Sequence, residues 1–184
     1  MAGIFNEAVL TTKGIALLAK AQAGKCTIAL TKAETGDGAY ADGEDLKART
    51  ALKSRRQTFP LITVRTQNAT NVYVKFIITN KPESGGNLEQ GYYVKEVGLF
   101  ATDPDEGEIL YAIATAVENQ WDYMPSYNNL LPSTITLEFL TEVSNAENVT
   151  IVAPNETFLY DKATGDKYVL GIENGLMFYE EVEE

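Results

Sequence analysis

Carboxylates are the reactive groups this sequence holds in quantity: 26 Asp and Glu stand against 15 Lys and Arg, and there is no histidine. Hydrolysis of a glycosidic bond needs two such acids held on opposite sides of a sugar. Composition leaves that chemistry open, yet no spacing in the chain marks a pair. Asp103, Asp105, Glu106 and Glu108 crowd one short segment, but the Asp-x-Asp-x-Asp-Gly order of a helix-loop-helix calcium site is missing. That segment reads as a solvated hairpin loop. Without histidine the chain has no Ser-His-Asp or Cys-His arrangement, no imidazole base and no imidazole metal ligand. Cys26 is the sole cysteine, which excludes an internal disulfide and a thiolate cluster. Its position before Thr27, Ile28, Ala29 and Leu30 predicts a buried, inert thiol in a strand. Gly36-Asp37-Gly38 lacks the Lys-Ser/Thr that completes a phosphate cradle and reads as a turn. The chain is therefore expected not to be an enzyme, and no catalytic residue, cofactor or metal is assigned.

The formal net charge of −11 narrows the partners, because nucleic-acid affinity comes largely from neutralised phosphates. The one basic cluster, Lys47, Arg49, Lys53, Arg55 and Arg56, reads as a solvated helix face that balances nearby acids. Neither nucleic acid nor membrane insertion is expected. The chain of 184 residues, 45% hydrophobic, can bury one core and carry a small appendage. No apolar run approaches the roughly 20 residues of a membrane span. Residues 1–10 contain Asn6 and Glu7 and lack the basic and apolar regions of a secretory signal, so synthesis in a bacterial cytoplasm is expected. The Asn-x-Thr triplets at Asn68, Asn148 and Asn155 then read as turn chemistry.

The elements that position these groups follow from periodicity. Residues 1–10 read as an extended arm. Thr11 or Thr12 can cap a helix over residues 13–23, with Ile15, Leu17, Leu18 and Ala19 at helical spacings and Gly24 as the stop. A strand is predicted over 26–33, a polar loop over 34–45 and a short second helix over 46–52. From Thr58 onward the pattern is all β. Pro60 marks a strand start or edge. Val72 to Thr79 is apolar on both faces apart from Lys75, which predicts burial on two sides. Two alternating runs, 93–100 and 109–116, meet at Asp103-Pro104-Asp105-Glu106-Gly107 and predict an antiparallel hairpin. A further strand runs over 134–143, and 148–153 extends the sheet. Beyond residue 153 three short runs, joined in part by Asn174-Gly175, predict a β-meander. The fold class is thus mainly β (α+β): an N-terminal helix packed on an antiparallel β domain (residues 1–153), with a three-stranded C-terminal meander (154–184). A meander this small needs a neighbour to pack on.

Thr11, Thr12, Gly14, Leu17, Leu18, Lys20 and Ala21, then Gly36-Asp37-Gly38, then Glu96-Val97-Gly98-Leu99-Phe100 occur in an order that resembles the N-terminal domain of phage tail-collar or tail-fibre proteins, over roughly residues 4–152. Within that resemblance, Glu96, Gly98, Leu99 and Phe100 are core positions of the family signature. The resemblance implies a structural component of a phage tail or phage-like contractile particle, found in the virion, which attaches a fibre to the baseplate or forms a short fibre. Its implied partners are baseplate and other tail proteins, and its implied state is a homotrimer. The chain shows neither shaft repeats nor a collagen-like period, which favours an adaptor or short fibre over a receptor-binding tip.

Glu96 shares a strand face with Val94, Gly98 and Phe100, and a buried carboxylate must be paired. A basic or hydroxyl partner is predicted, with Arg55, Arg56 and Arg65 as candidates. Gly98 predicts a close backbone approach or a bulge. The interface candidates are Ile4 and Phe5 in the arm, Leu17 and Leu18 in the helix, Trp121, Tyr123 and Tyr127 in a Pro-bounded segment, and Phe178 and Tyr179 in the meander. The Trp121–Tyr127 segment has three readings: aromatics folded back into the core, anchors for a protein contact, or a stacking surface for host-surface carbohydrate.

Overall fold

The computed structural model describes residues 5–68, 71–83, 86–142, 151–152, 158–160, 167–173 and 176–181; for 65–68, 71, 140–142 and the strands beyond 150 it describes the backbone alone. The chain divides into two units, Met1–Pro154 and Asn155–Glu184.

In chain order the first unit carries β1 (Val9–Leu10), α1 (Thr12–Gln22), β2 (Ile28–Gly36), β3 (Arg55–Phe59), β4 (Thr63–Asn68), β5 (Asn71–Thr79), β6 (Tyr92–Val94), β7 (Glu96–Asp103), β8 (Gly107–Thr115), β9 (Asp122–Met124), β10 (Thr134–Glu142) and β11 (Ile151–Val152). The second carries β12 (Phe158–Tyr160), β13 (Lys167–Glu173) and β14 (Leu176–Glu181) as an antiparallel meander. The mainly β class with one N-terminal helix on an antiparallel domain is borne out.

The large sheet of the first unit runs β1-β8-β7-β2, with β2 bordered beyond by β3 along its end and by β11, in parallel, along its start. The signature hairpin β7–β8 is its centre, in register from Glu96↔Thr115 to Asp103↔Gly107, with a slip between Leu99 and Phe100. A second sheet, β10-β5-β4, covers one face. Val72, Val74, Phe76 and Ile78 of β5 enter the same core as Val97, Leu99, Ala101 and Tyr111. On the other face Phe100, Leu110 and Ile113 pack with Leu52, Tyr40 and Leu46 from the segment 37–54. Strand β7 is therefore buried on both sides.

The helix forms where the stripe Gly14, Leu17, Leu18, Ala21 repeats at three and four residues, and these four are buried. Ile15 and Ala19 lie off that stripe, and Ile15 is exposed. Thr11 is the cap: its Oγ1 accepts from Gly14 N at 3.0 Å and donates to Leu110 O. At the other end Gly24 adopts φ +68°, and Lys25 N donates to Lys20 O at 3.0 Å. Gly14 is required by contact, since a Cβ there would lie 2.1 Å from Tyr111 O.

Several local expectations change. Residues 46–52 form turns, not a helix. The segment is tied to other elements: Thr12 N donates to Lys47 O at 2.8 Å, and just past its end Lys53 N donates to the Glu96 carboxylate at 2.9 Å. The basic cluster is consequently not a helix face, and Lys53, Arg55 and Arg56 pair with Glu44, Glu34 and Asp37. Strand β2 continues through Glu34 to Gly36, past the predicted loop start, because β3 and β7 pair with it there and Lys32 stands 3.2 Å from the Glu34 carboxylate. The outer face of β5 is not buried: Ile77 is 37% exposed. Cys26 is half-buried at the edge of the core. The predicted run 93–100 breaks at Lys95, so that β6 pairs with β9 in a separate ladder.

Replacing Gly14 by Ala pushes α1 off β8, and overpacking of this kind costs about 1–3 kcal/mol. The urea midpoint of Gly14→Ala is expected to fall accordingly, while Ala16→Ser, on the exposed side of the helix, leaves it in place.

Candidate functional site

The segment 37–54 is held over the sheet by one carboxylate. Glu96 is fully buried. Its Oε1 accepts from Gly38 N at 3.0 Å and Ser54 N at 2.7 Å. Its Oε2 accepts from Lys53 N at 2.9 Å and from the Tyr40 hydroxyl. Four donors meet the requirement that a buried charge be satisfied. The predicted hydroxyl partner is thus Tyr40, and Arg55 and Arg56 are not partners. Arg55 and Arg56 turn to Glu34 and Asp37, and the Arg65 side chain lies outside the described residues. The carboxylate also fixes the glycines around it, since a Cβ on Gly36 or Gly38 would come 2.4 or 2.5 Å from Oε1. Burial, then the bond to Glu96, pushes the Tyr40 phenol well above its usual range. Burial raises Tyr92 to about 12.

Beside this loop stands an aromatic surface. In the β6–β9 ladder Tyr92, Val94 and Met124 point inward and are buried, which leaves Tyr93 and Tyr123 outside at 49% and 53% exposure. The Tyr93 ring lies 5.0 Å from that of Tyr123 and 5.9 Å from that of Trp121, and Lys95 Nζ stands 4.1 Å over the Trp121 ring. A cleft of about 430 Å³ opens alongside, lined by Tyr40, Asp42, Glu44, Lys95, Glu118 and Trp121 among others.

The sequence candidates separate accordingly. Trp121 and Tyr123 come together, and the expectation that they complete the core does not hold for Tyr123. Tyr127 is apart from them, 5.4 Å under Lys81 Nζ, with its N–H on Leu88 O. Leu17 and Leu18 are enclosed in the chain's own core, because α1 packs its apolar stripe against the sheet. Phe5 is half-buried in the arm, bridged to Ala116. Ile4 and the side chains of Phe178 and Tyr179 lie outside the described residues. Gly98, Leu99 and Phe100 are core, with a Cβ on Gly98 only 2.8 Å from Leu110 Cδ1. Sequence reasoning missed Tyr93, Lys95 and Tyr40. Period two along Tyr92-Tyr93-Val94-Lys95 does set Tyr93 and Lys95 on one face, whereas nothing local to Tyr40 points to Glu96.

The acidic turn is occupied by lysines of α1. Asp103 is buried and accepts from Lys20 Nζ at 2.7 and 2.8 Å and from Asp105 N and Glu106 N. Lys20 also reaches Asp105, and Lys13 pairs with Glu106. The Lys20 bond holds the Asp103 carboxyl below its usual range, and the same contact raises Lys20. Among the described residues no group of His, Cys, Asp or Glu is placed to hold a metal ion, and no helix is long and apolar enough to cross a membrane.

A model of the family described as phage tail-collar fibre protein, N-terminal, matches residues 1–171. The chain belongs to that family. The match covers the helix, the Gly36-Asp37-Gly38 turn and the Glu96–Phe100 strand, and it runs past Pro154 into the second unit. No curated protein and no solved structure matches the chain. As a tail-collar fibre protein it is a structural component of a phage tail, located in that tail and associated with other tail proteins.

In this tail-fibre domain Glu96→Gln sets an NH₂ group against backbone donors, leaving at least one of them unsatisfied. The substitution is expected to lower the unfolding free energy by about 2–3 kcal/mol, measured by urea denaturation. Asp103, with its native pKa depressed, contributes stability that is present above the unfolded value of about 3.9 and is lost as pH falls through the lower native value. Lys20, with its native pKa raised, contributes stability that is complete below about 10.4 and is lost as pH rises through its native value. Both dependences should shrink in Lys20→Met when unfolding is followed from pH 2 to 11.

Proposed function

We propose that this chain is a joint between a fibre and the baseplate, and that the face carrying Tyr93, Trp121 and Tyr123 is where it docks on another tail protein. The observation that carries this reading is the exposure of two tyrosines on a ladder whose opposite side is fixed in the core. Rings already held in place lose little freedom on binding, and Tyr and Trp dominate the energetic centres of protein interfaces. The homotrimeric state implied by the family resemblance belongs to the same proposal, since symmetric copies would present this face several times over.

One observation favours a second reading, carbohydrate recognition. Trp121 borders a cleft that also carries Asp42, Glu44, Glu118 and Lys95, and a ring beside hydrogen-bonding groups suits a sugar. The double variant Tyr93→Ser/Tyr123→Ser separates the two. The docking reading expects particles that assemble without their fibre, with the purified chain unfolding at an unchanged urea midpoint. Complete, fibre-bearing particles that lose binding on a glycan array would replace it with the carbohydrate reading.

A further inference from the structure

We propose that the open side of the two-sheet core is a strand-acceptor site, which takes an extended segment of another tail protein with alternating apolar side chains and a basic residue. The proposal rests on the tail-joint reading for the class of partner, but it concerns a different surface.

Two unpaired strand edges border one opening. Strand β10 pairs with β5 on one side and has no partner on the other among the described residues. Among the described residues the N-terminal arm likewise pairs only with β8, through Phe5↔Ala116, Asn6 N on Thr115 O, and β1. At the opposite border of the sandwich β4 lies near β11, so the free edges of β10 and of the arm fall on the same side. Both line a cleft of about 470 Å³, in which Phe76, Val97, Ala114 and Phe139 are lining side chains. A row of unpaired N–H and C=O groups is a template for one more strand. Strand addition draws affinity from those main-chain groups and selectivity from pockets for alternate side chains. The apolar side chains of the cleft supply the pockets.

Charge selects the occupant. Among the described residues the ionisable side chains lining the cleft are Glu7 and Glu138, both exposed, with Lys75 of β5 opposite Glu138 but not in the lining. A second copy of a chain with net charge −11 would bring acid to acid. A segment of a different protein with a Lys or Arg at the rim complements the site.

The test is an array of overlapping fifteen-residue peptides from the other proteins of the same tail, probed with the full chain and followed by fluorescence anisotropy of the hits. A binding segment is expected to weaken at least tenfold against Glu7→Lys/Glu138→Lys. It should also lose binding when N-methylated at one alternating set of residues but not the other, and it should slow amide exchange over residues 5–10 and 134–142. Array-wide failure, or binding indifferent to the charge reversal, would overturn the proposal. Protection over 92–94 and 121–124 alone would do so too while leaving the aromatic docking face standing. Self-association of the chain abolished by Glu138→Lys would assign the cleft to a second copy instead. Fibre loss in Tyr93→Ser/Tyr123→Ser with these peptides still bound would keep the two surfaces distinct.

Discussion

A charge withdrawn from water dictates how one whole face of this protein is covered. The Glu96 side chain enters a sheet face otherwise made of Gly98, Phe100, Leu110 and Ile113, where an unpaired carboxylate would cost several kcal/mol. The groups that satisfy it come from Gly38, Tyr40, Lys53 and Ser54, all in the connection between β2 and β3. A stretch with little regular structure thereby becomes a fixed lid. Leu46 and Leu52 are delivered onto Phe100 and Leu110 as a result. Gly36-Asp37-Gly38 and Glu96 to Phe100, sixty residues apart in sequence, are one structural unit: the glycines leave the room that the carboxylate fills.

A second constraint locks the helix to the hairpin at three heights. Thr11 ties the N-terminus of α1 to Leu110, Gly14 lets the helix backbone meet Tyr111, and Lys20 reaches Asp103 at the hairpin turn. The neutralising lysines explain how so many acids are tolerated in one turn. Direct mutual repulsion is offset by Lys13 and Lys20, and two of the donors to Asp103 are backbone N–H groups of the turn itself. The hairpin and the helix cover each other, and with the Glu96 lid they leave the β6–β9 ladder free to project its tyrosines outward.

Much of this was legible because it is local. The Thr11 cap, the Gly24 stop, the hairpin around Asp103 and Gly107 and the alternation in β10 are all written in neighbouring residues. The errors share a cause, which is long-range pairing. Leu46, Thr50 and Leu52 suggested a helix, yet the segment is held from outside: Lys47 O accepts from Thr12 N, and Lys53 N and Ser54 N just beyond it donate to Glu96. Glu34 looked like the beginning of a loop, but Lys32 and Arg55 allow it to stay in the strand. Ile15 and Ala19 fit a helical period as well as Gly14 does. What moved the buried stripe was the close approach at Tyr111, which a single helix cannot reveal. For the aromatic surface, the sequence showed Trp121 and Tyr123 but not that Tyr93 and Lys95 arrive beside them from another strand.

The arm lies lengthwise along β8. Phe5, Asn6, Val9 and Leu10 are bonded to it in succession, and the capped helix follows at once. A tension applied to the arm along its own axis would load those contacts together in shear, rather than peel them off one after another. Thr11, buried and anchored to Leu110, would act as the stop behind them. Such a load would be shared along the whole ladder before any single contact gives way.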